Sequence, residues 1–319
     1  MSWRLAAIAA LLLATPLPAL AEGPSRYAFG VFGDTPYLPG EEIVVAAMID
    51  QMNEAGLAFV VHVGDLKAGW TPCTDALMEE RLALLQRLRV PLVVLPGDND
   101  WVDCRSESAG GYDPLERLAK FRSLFHAGDA SLGAQPMTVE RQSADPRFAE
   151  YREHVRWPFG DVLFVGLNVT GTNNNRRPSS SAEAEYRQRS DAVNAWLAES
   201  FAVAAKRHAR GVVVLFQGNP GFDGKSRPRS WQDGYAEIRA ELAARARAFP
   251  GPVLIVHGDT HRFRVDRPLV DPVSKRPINN VTRLEVFGAP WNGWVRVGVD
   301  AAAPALFEIQ GEAYRVKTE

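Results

Sequence analysis

Apolar, strand-like runs that end in a glycine followed by an aspartate recur along this chain. Three of them lie in its first third, at residues 29–34, 59–65 and 92–100. If these strands are parallel neighbours in one sheet, their carboxyl ends bring the three aspartates to one spot. A fourth run, at 253–261, adds a further aspartate and a histidine. Because converging carboxylates repel one another unless a cation lies between them, the repeated pattern predicts a metal site.

The spacing of strands and helices predicts an α/β fold. Strands are predicted at 27–33, 58–63 and 91–95, and helices at 41–54 and 74–88 lie between them. This alternation is typical of a parallel sheet with right-handed crossover connections. The predicted strands are almost entirely apolar, as expected of strands that are covered on both faces.

The second half of the chain continues this alternation and then changes. Helices are predicted at 113–125, 182–208 and 231–249, and strands at 162–167, 212–216 and 253–257. The stretches 126–158 and 171–181 are predicted to be loops. Short alternating segments at 283–287, 294–299, 306–309 and 313–316 predict an antiparallel meander. Since no linker or internal repeat interrupts the pattern, we expect residues 22–319 to form a single domain.

The amino-terminal residues have the pattern of a signal peptide. Arg4 precedes an apolar run at 5–13, and Ala19-Leu20-Ala21 forms a small-x-small cleavage site. The run is too short to span a bilayer, although an uncleaved anchor is the alternative. We therefore expect residues 1–21 to be removed and the mature protein to be periplasmic or secreted, without membrane association. A net charge of −2 gives no indication of nucleic acid as a partner.

The only two cysteines, Cys73 and Cys104, each follow one of the Gly-Asp turns. An even pair in an exported protein favours a disulfide. Such a bond would join the loop after Asp65 to the loop after Asp98, and would stabilise the fold by roughly 3–4 kcal/mol in the chain-entropy model. Two small buried thiols are the alternative.

The strand ends, taken in order, resemble a known set of motifs. They read Gly33-Asp34, Gly64-Asp65, Gly97-Asp98-Asn99-Asp100 and Gly258-Asp259-Thr260-His261. Their order and spacing resemble the calcineurin-like metallophosphoesterase superfamily over nearly the whole mature chain. That family uses Asp-x-His, Gly-Asp, Gly-Asn-His-Asp/Glu, a later His and Gly-His-x-His. The resemblance implies a four-layer αββα sandwich of two mixed β-sheets flanked by helices, with a site for two divalent metal ions.

The resemblance also implies which residues ligate the metals. Asp34, Asp65 and His261 would hold the first ion, and Asp65, Asp98 and Asp259 the second. Asp65 would bridge the pair, because a carboxylate can span cations about 3.5–4 Å apart. The family's lone histidine is absent here, and Gln217 or Asn219 stands in its place.

Several motif positions depart from the family pattern in one chemical direction. Pro36 and Asn99 stand where the family has histidine, and Asp98 and Asp259 replace Asn and His. Asn99 can donate a hydrogen bond but cannot supply a proton. Since oxygen donors replace imidazoles, we expect Mn²⁺, Mg²⁺ or Ca²⁺ rather than Zn²⁺ or iron.

These residues predict a metal-dependent hydrolase of phosphate esters that acts on a phosphorylated small molecule. Asn99 and His257 are its candidate catalytic residues, and Asn99, Asn173 and Asn174 are its candidate substrate contacts. His257 lies in an apolar strand and is alternatively a core residue, and the asparagines alternatively serve the backbone. Because the usual histidine acid is missing, a non-catalytic protein that binds metal and a phosphorylated ligand is the alternative function. A weaker alternative reads the aspartates as turn and cap residues only.

Overall fold

The computed structural model describes residues 24–222, 232–271 and 273–314. In the first half, strands and helices alternate as predicted. The elements are β1 (Arg26–Phe32), α1 (Glu41–Glu54), β2 (Val60–His62), α2 (Asp75–Leu85), β3 (Leu92–Val94) and α3 (Pro114–Phe125). Thr74 caps α2 by accepting a hydrogen bond from the Leu77 amide, and Asp113 caps α3 with Pro114 in its first turn.

The second half supplies most of a larger sheet and the helices that cover it. Its first elements are β4 (Glu140–Arg141), β5 (Val155–Phe159), β6 (Val162–Gly166), α4 (Gly171–Asn174), α5 (Ser180–Lys206) and β7 (Gly211–Leu215). They are followed by α6 (Ala236–Ala248), β8 (Val253–His257), β9 (Arg264–Asp266), β10 (Val281–Glu285), β11 (Gly293–Asp300) and β12 (Phe307–Ala313).

The strands form two mixed sheets. The five-stranded sheet has the order β12-β11-β1-β2-β3, in which β1, β2 and β3 are parallel. The seven-stranded sheet has the order β4-β5-β6-β7-β8-β10-β9, in which β6, β7, β8 and β10 are parallel. Parallel neighbours place their carboxyl ends at the same edge, so each sheet presents one loop-bearing edge to a common site.

The two sheets pack face to face with helices on the outside. Between the sheets, Phe29 and Phe59 of one sheet surround Phe164 of the other, with ring centroids 5.0–5.2 Å apart. Such pairs contribute about 0.5–1.5 kcal/mol each beyond the apolar area they bury. Helices α1, α2 and α3 cover the five-stranded sheet, and α5 and α6 cover the seven-stranded sheet. The predicted four-layer αββα sandwich is confirmed.

The predicted carboxyl-terminal meander is wrong for its first strand, whereas the antiparallel pairing of the next two, β11 and β12, is found. Strand β10 pairs in parallel with β8 and belongs to the larger sheet, whereas β11 pairs with β1 and β12 in the smaller one. The strand predicted at 306–309 lies largely in β12, which also includes Ala313, the first residue of the segment predicted at 313–316. The predicted loop region 126–158 also contains most of β5, whose Pro158 and buried Arg156 obscure the strand pattern. The pairings of β10 with β8 and of β11 with β1 join segments distant in sequence, so local periodicity does not reveal them.

Some predictions fall outside the described residues. The signal segment 1–21 is among them, as are Trp231 at the predicted start of a helix and the end of the strand predicted at 313–316. Within the described ranges, no helix combines the length and apolarity needed to cross a bilayer.

Candidate functional site

The Gly-Asp turns of both sheets meet at one place. Asp34, Asp65 and Asp98 follow β1, β2 and β3 of the smaller sheet, and Asp259 follows β8 of the larger one. The backbone amide of Asp259 donates to both carboxylate oxygens of Asp34, at 3.1 and 3.0 Å. Gly258 allows this approach, because a Cβ there would lie 2.0 Å from Asp34 Oδ2. The structure therefore brings the predicted aspartates together across the two sheets.

The backbone at these turns takes a conformation that side-chain-bearing residues seldom adopt. The φ angles of Asp34, Asp65, Asp259 and His261 are 52°, 62°, 79° and 58°. Aspartate tolerates the left-handed region better than most residues, but each such position costs about 1–3 kcal/mol and persists only where its surroundings enforce it. Such conformations concentrate at functional sites, where the strain aims side chains at a ligand.

Asp65 lies at the centre of the site and is held by two polar neighbours. The Tyr37 hydroxyl donates to Asp65 Oδ2 at 2.5 Å, and Asn99 Nδ2 donates to the same oxygen at 2.7 Å. The Asn99 backbone amide donates to Asp65 Oδ1 at 3.0 Å, and its Nδ2 also lies 2.8 Å from the Tyr37 hydroxyl. Asn99 thus lies beside Asp65 and its amide orients that carboxylate, while its predicted catalytic and substrate-binding roles stay predictions.

Asp98 faces the site with one oxygen engaged and one free. Thr172 Oγ1 donates to Asp98 Oδ2 at 2.6 Å and also lies 3.2 Å from both oxygens of Asp103. Asp98 Oδ1 is buried and has no hydrogen-bond partner among the described residues. Sequence analysis did not identify Thr172, because the residue lies in a stretch predicted to be an ordinary loop.

Thr172 lies in the short segment α4, whose backbone is not a right-handed helix but a left-handed turn formed by residues 171–175. The φ angles of Thr172, Asn173, Asn174 and Asn175 are 46°, 56°, 54° and 55°. A β-branched residue in this region is an outlier, and consecutive left-handed residues are rare because each costs about 1–2 kcal/mol. The run of asparagines is the sequence signal for this turn, since asparagine populates the left-handed region more readily than other side-chain-bearing residues.

Neighbouring elements hold the left-handed turn in place. Arg189 of α5, almost fully buried, donates to the side-chain and backbone oxygens of Asn174 at 2.5 and 2.9 Å. Asn173 Oδ1 accepts from the Gly234 amide at 2.9 Å, and Asn174 Nδ2 donates to the Gly234 carbonyl at 3.1 Å. The structure therefore places the Asn173 and Asn174 side chains in bonds that maintain the turn. Their predicted role as substrate contacts stays a prediction.

His261 presents one ring nitrogen to the acidic cluster. Its Nδ1 lies 2.6 Å from the Ala289 carbonyl, which can only accept, so Nδ1 carries the proton. In the neutral ring Nε2 then carries the lone pair, and this atom lies 3.9 Å from Asp34 Oδ1. A histidine fixed in this way by a backbone carbonyl has the tautomer and orientation that metal ligands require.

The two candidates for the missing histidine contact different aspartates of the cluster. Gln217 is buried, with Nε2 3.5 Å from Asp34 Oδ1 and its Oε1 accepting from the Gly171 amide at 2.6 Å. Asn219 donates its backbone amide to Asp259 Oδ2 at 2.8 Å. Gln217 thus reaches the first aspartate and Asn219 the last.

His257 lies at the end of β8 and is fully buried. Its ring is parallel to that of Phe216, its Nδ1 lies 2.9 Å from the Gly258 carbonyl, and burial lowers its pKa to about 4. Its Nε2 has no hydrogen-bond partner among the described residues. The catalytic role predicted for His257 stays a prediction.

Asp100 is a structural residue that sequence analysis left without a role. Its carboxylate accepts from the backbone amides of Asp65, Leu66 and Gly97 at 2.8–2.9 Å. It therefore fastens the second Gly-Asp turn to the third. The predicted disulfide between Cys73 and Cys104, whose Cα atoms are 5.6 Å apart, is confirmed and joins the loops beyond these turns.

The carboxyl groups of the acidic cluster are buried, and their negative charges repel one another. Burial and the neighbouring aspartates raise the pKa of Asp34 and Asp65 well above their usual range. The same causes raise the pKa of Asp98 to about 8, and burial above all raises that of Asp259 to about 6. Four such groups stay ionised together at neutral pH only if a cation compensates them.

The donor chemistry of the cluster fits a divalent cation. Carboxylate oxygens predominate, Asp98 offers an oxygen that no described residue binds, and His261 offers a lone pair. Across the described ranges, however, no group of three or more His, Cys, Asp or Glu side chains is arranged so that it could hold a metal ion. The residues fit a cation in charge and donor type, but the structure assigns it no coordination geometry.

Comparison with known proteins gives one family and a set of shared folds. A family model described as calcineurin-like phosphoesterase matches residues 27–263. A dimetal phosphatase from Danio rerio has a TM-score of 0.50 and 12% identity, covering 91% of this chain and 99% of that one. The purple acid phosphatase from yellow lupin (Lupinus luteus) seeds has a TM-score of 0.50 and 13% identity, covering 94% of this chain and 55% of that one. Comparison with curated protein sequences gives no significant match.

The family match spans all four Gly-Asp turns, and both solved structures share the fold of this chain. As its strand-end motifs predicted, the chain belongs to the calcineurin-like phosphoesterase family.

Proposed function

We propose that this protein is an exported, metal-dependent hydrolase of phosphate esters with an oxygen-rich site. The observation that carries the proposal is the convergence of Asp34, Asp65, Asp98 and Asp259 at the family's motif positions. Members of this family generally use divalent metals, and the two proteins that share the fold are named as phosphatases. The signal-like residues 1–21 support export.

Side chains of the acidic cluster would bind the cations, and the cations would face the phosphoryl group. Asp34, Asp65, Asp98 and Asp259 would supply oxygens, and His261 would supply Nε2. Bound divalent cations contribute positive charge for the phosphoryl oxygens and acidify a water molecule. The prevalence of oxygen donors favours Mn²⁺, Mg²⁺ or Ca²⁺, and two ions are expected from the family pattern.

Two polar neighbours fix the orientation of the central carboxylate, Asp65. Tyr37 and Asn99 both donate to Asp65 Oδ2, which favours its ionised form and fixes its orientation. The side-chain amide of Asn99 could also donate a hydrogen bond to a phosphoryl oxygen, in place of the one that it donates to the Tyr37 hydroxyl. Protonation of the leaving group falls to water or to His257, because Asn99 has no proton to give.

Hydrolysis of aryl phosphate mono- and diesters tests the proposal. We expect activity with Mn²⁺, Mg²⁺ or Ca²⁺ that a chelator removes, and kcat/KM lower by about 100-fold or more in Asp65→Asn, because a neutral amide cannot compensate bound cations. Asp191→Asn, an exposed position on α5, is the matched control and should leave the rate unchanged. An Asp65→Asn variant as active as the wild type would refute the proposal.

A non-catalytic binding protein is the second candidate function. The observation that favours it is that Asn99 replaces the family's histidine and uses its amide to engage Asp65. Metal-dependent thermal stabilisation by inorganic phosphate, with no turnover of any ester tested, would support binding alone. Measured turnover that is lost in Asp65→Asn would exclude it.

A further inference from the structure

Large apolar side chains are exposed on the segments that carry the acidic cluster. The four concerned, with their exposed fractions, are Leu38 at 45%, Trp70 at 60%, Phe263 at 38% and Trp291 at 73%. A single exposed apolar residue needs no explanation, because much of any protein surface is apolar. Two largely exposed tryptophans on the segments that carry one acidic site do need an explanation, because an indole is a large and mainly apolar side chain whose exposure to water is unfavourable.

Trp70 reaches the site through Tyr37. The two rings meet edge to face with centroids 6.4 Å apart, and Tyr37 donates to Asp65. The residue before it, Gly69, packs against Asn99, since a Cβ there would lie 2.8 Å from Asn99 Oδ1. Trp70 therefore directly follows a residue, Gly69, that packs against the side chain of Asn99.

Trp291 lies in a turn beside the residues that contact His261. Tyr37 packs edge to face on His261, with centroids 5.0 Å apart, and His261 donates to the Ala289 carbonyl. Two residues later, Trp291 closes a turn by donating its amide to the Gly288 carbonyl at 2.9 Å. Gly288 itself packs against Asp34 and His261, where a Cβ would lie 2.7 Å from atoms of each.

We propose that Trp70 and Trp291 bind the organic part of the substrate, and that this part carries a flat apolar ring. The proposal rests on the proposed function, because it assigns a substrate class to the same site. The cations and carboxylates of the centre address the phosphoryl group, which needs no aromatic contact. Exposed indole faces bind planar rings by stacking, whether the ring is an aryl group or a nucleobase.

Binding of two phosphonates tests this assignment without any turnover. Phenylphosphonate and methylphosphonate share the charged group and differ in the ring, and neither is hydrolysed as an ester. With Mn²⁺ present, calorimetry should give a dissociation constant about five- to tenfold lower for phenylphosphonate, the range expected when a ring stacks on an indole. The Trp70→Ala/Trp291→Ala double variant should bind both compounds with the methylphosphonate affinity.

Two control variants separate stacking from general damage. Trp70→Phe/Trp291→Phe keeps aromatic faces and should retain part of the preference for the phenyl compound. Val273→Ala removes another exposed apolar side chain, 84% exposed, on a turn whose Asp271 pairs with Arg247 at the end of α6 away from the site. That variant should keep the full preference.

The outcomes distinguish this inference from the proposed function. Equal affinity of the wild type for both phosphonates, or no binding of either, would overturn the role of the tryptophans. So would a double alanine variant that still prefers the phenyl compound. If the preference is found but no ester is hydrolysed, the substrate-class inference stands as a ligand class and the hydrolase proposal fails.

Discussion

At the residue scale, the Thr172 hydroxyl is the most testable new contact of the site. It has a single proton, which it donates to Asp98 at 2.6 Å while lying 3.2 Å from Asp103. Thr172→Val keeps the β-branched shape and removes the donor. Because a hydrogen bond to a charged group contributes about 1.5–3 kcal/mol, we expect kcat/KM for an aryl phosphate to fall about tenfold or more.

The serine variant is the control for this prediction. Thr172→Ser retains the hydroxyl and also reduces the side-chain bulk at a φ angle of 46°. It should keep activity close to that of the wild type, while both variants unfold at similar urea concentrations because Thr172 is exposed. If valine and serine behave alike, the hydroxyl does not position Asp98.

The aspartates were predictable from the sequence, but Thr172 was not. Asp34, Asp65 and Asp98 each lie in the turn that follows an apolar strand, so strand position brings them together. Thr172 reaches Asp98 only through the left-handed turn, which depends on contacts with Arg189 and other distant residues. No local periodicity encodes such a contact.

At the element scale, the disulfide joins the loops that follow β2 and β3. Cys73 and Cys104 are 31 residues apart, and both sulfurs lie near the Asn99 carbonyl, at 3.8 and 3.6 Å. The Cys73→Ser/Cys104→Ser double variant should lose about 3–4 kcal/mol of unfolding free energy, because its unfolded chain is no longer cross-linked. Urea unfolding of oxidised protein measures this loss.

Reduction provides the control for the disulfide prediction. A reducing agent should lower the stability of the wild type toward that of the double serine variant and leave the variant unchanged. A variant as stable as the oxidised wild type would show that the bond does not constrain the unfolded chain.

Among the elements, the position of a long helix is predictable from the sequence, whereas the pairing of a strand is not. The long helix predicted at 182–208 lies at Ser180–Lys206, because its apolar stripe and flanking loops are local features. The strand predicted at 283–287 was expected to belong to an antiparallel meander, whereas β10 pairs in parallel with β8, which precedes it by more than twenty residues. Strand pairing depends on packing between segments that are distant in sequence, so local sequence patterns do not predict it.

At the scale of the whole molecule, Glu153 links the layers of the sandwich. It is fully buried and receives two hydrogen bonds of 2.7 Å from Arg122 of α3, on the outer face of the smaller sheet. Asn168, which follows β6 of the larger sheet, donates a third bond at 2.9 Å. One carboxylate thus joins a helix of one half to a strand end of the other.

This link predicts how the stability of the fold depends on pH. Burial alone raises the pKa of Glu153, but Arg122 and Asn168 outweigh it and lower the pKa from 4.5 to about 2. A depressed carboxyl pKa stabilises the fold fully above about pH 4.5, and the contribution is lost as the pH falls through about 2. Glu153→Gln should therefore lower the unfolding free energy by about 3 kcal/mol at pH 7, and by much less near pH 2.

Glu150 offers a matched control on the same arginine. Its carboxylate lies 3.8 Å from Arg122 but is 63% exposed, so water screens the pair. Glu150→Gln should change the unfolding free energy little at either pH, as measured by urea titration at pH 7 and pH 2.5. A Glu153→Gln variant whose loss of stability is the same at both values would show that ionisation of Glu153 does not hold the two halves together, and that only its shape and hydrogen bonds matter.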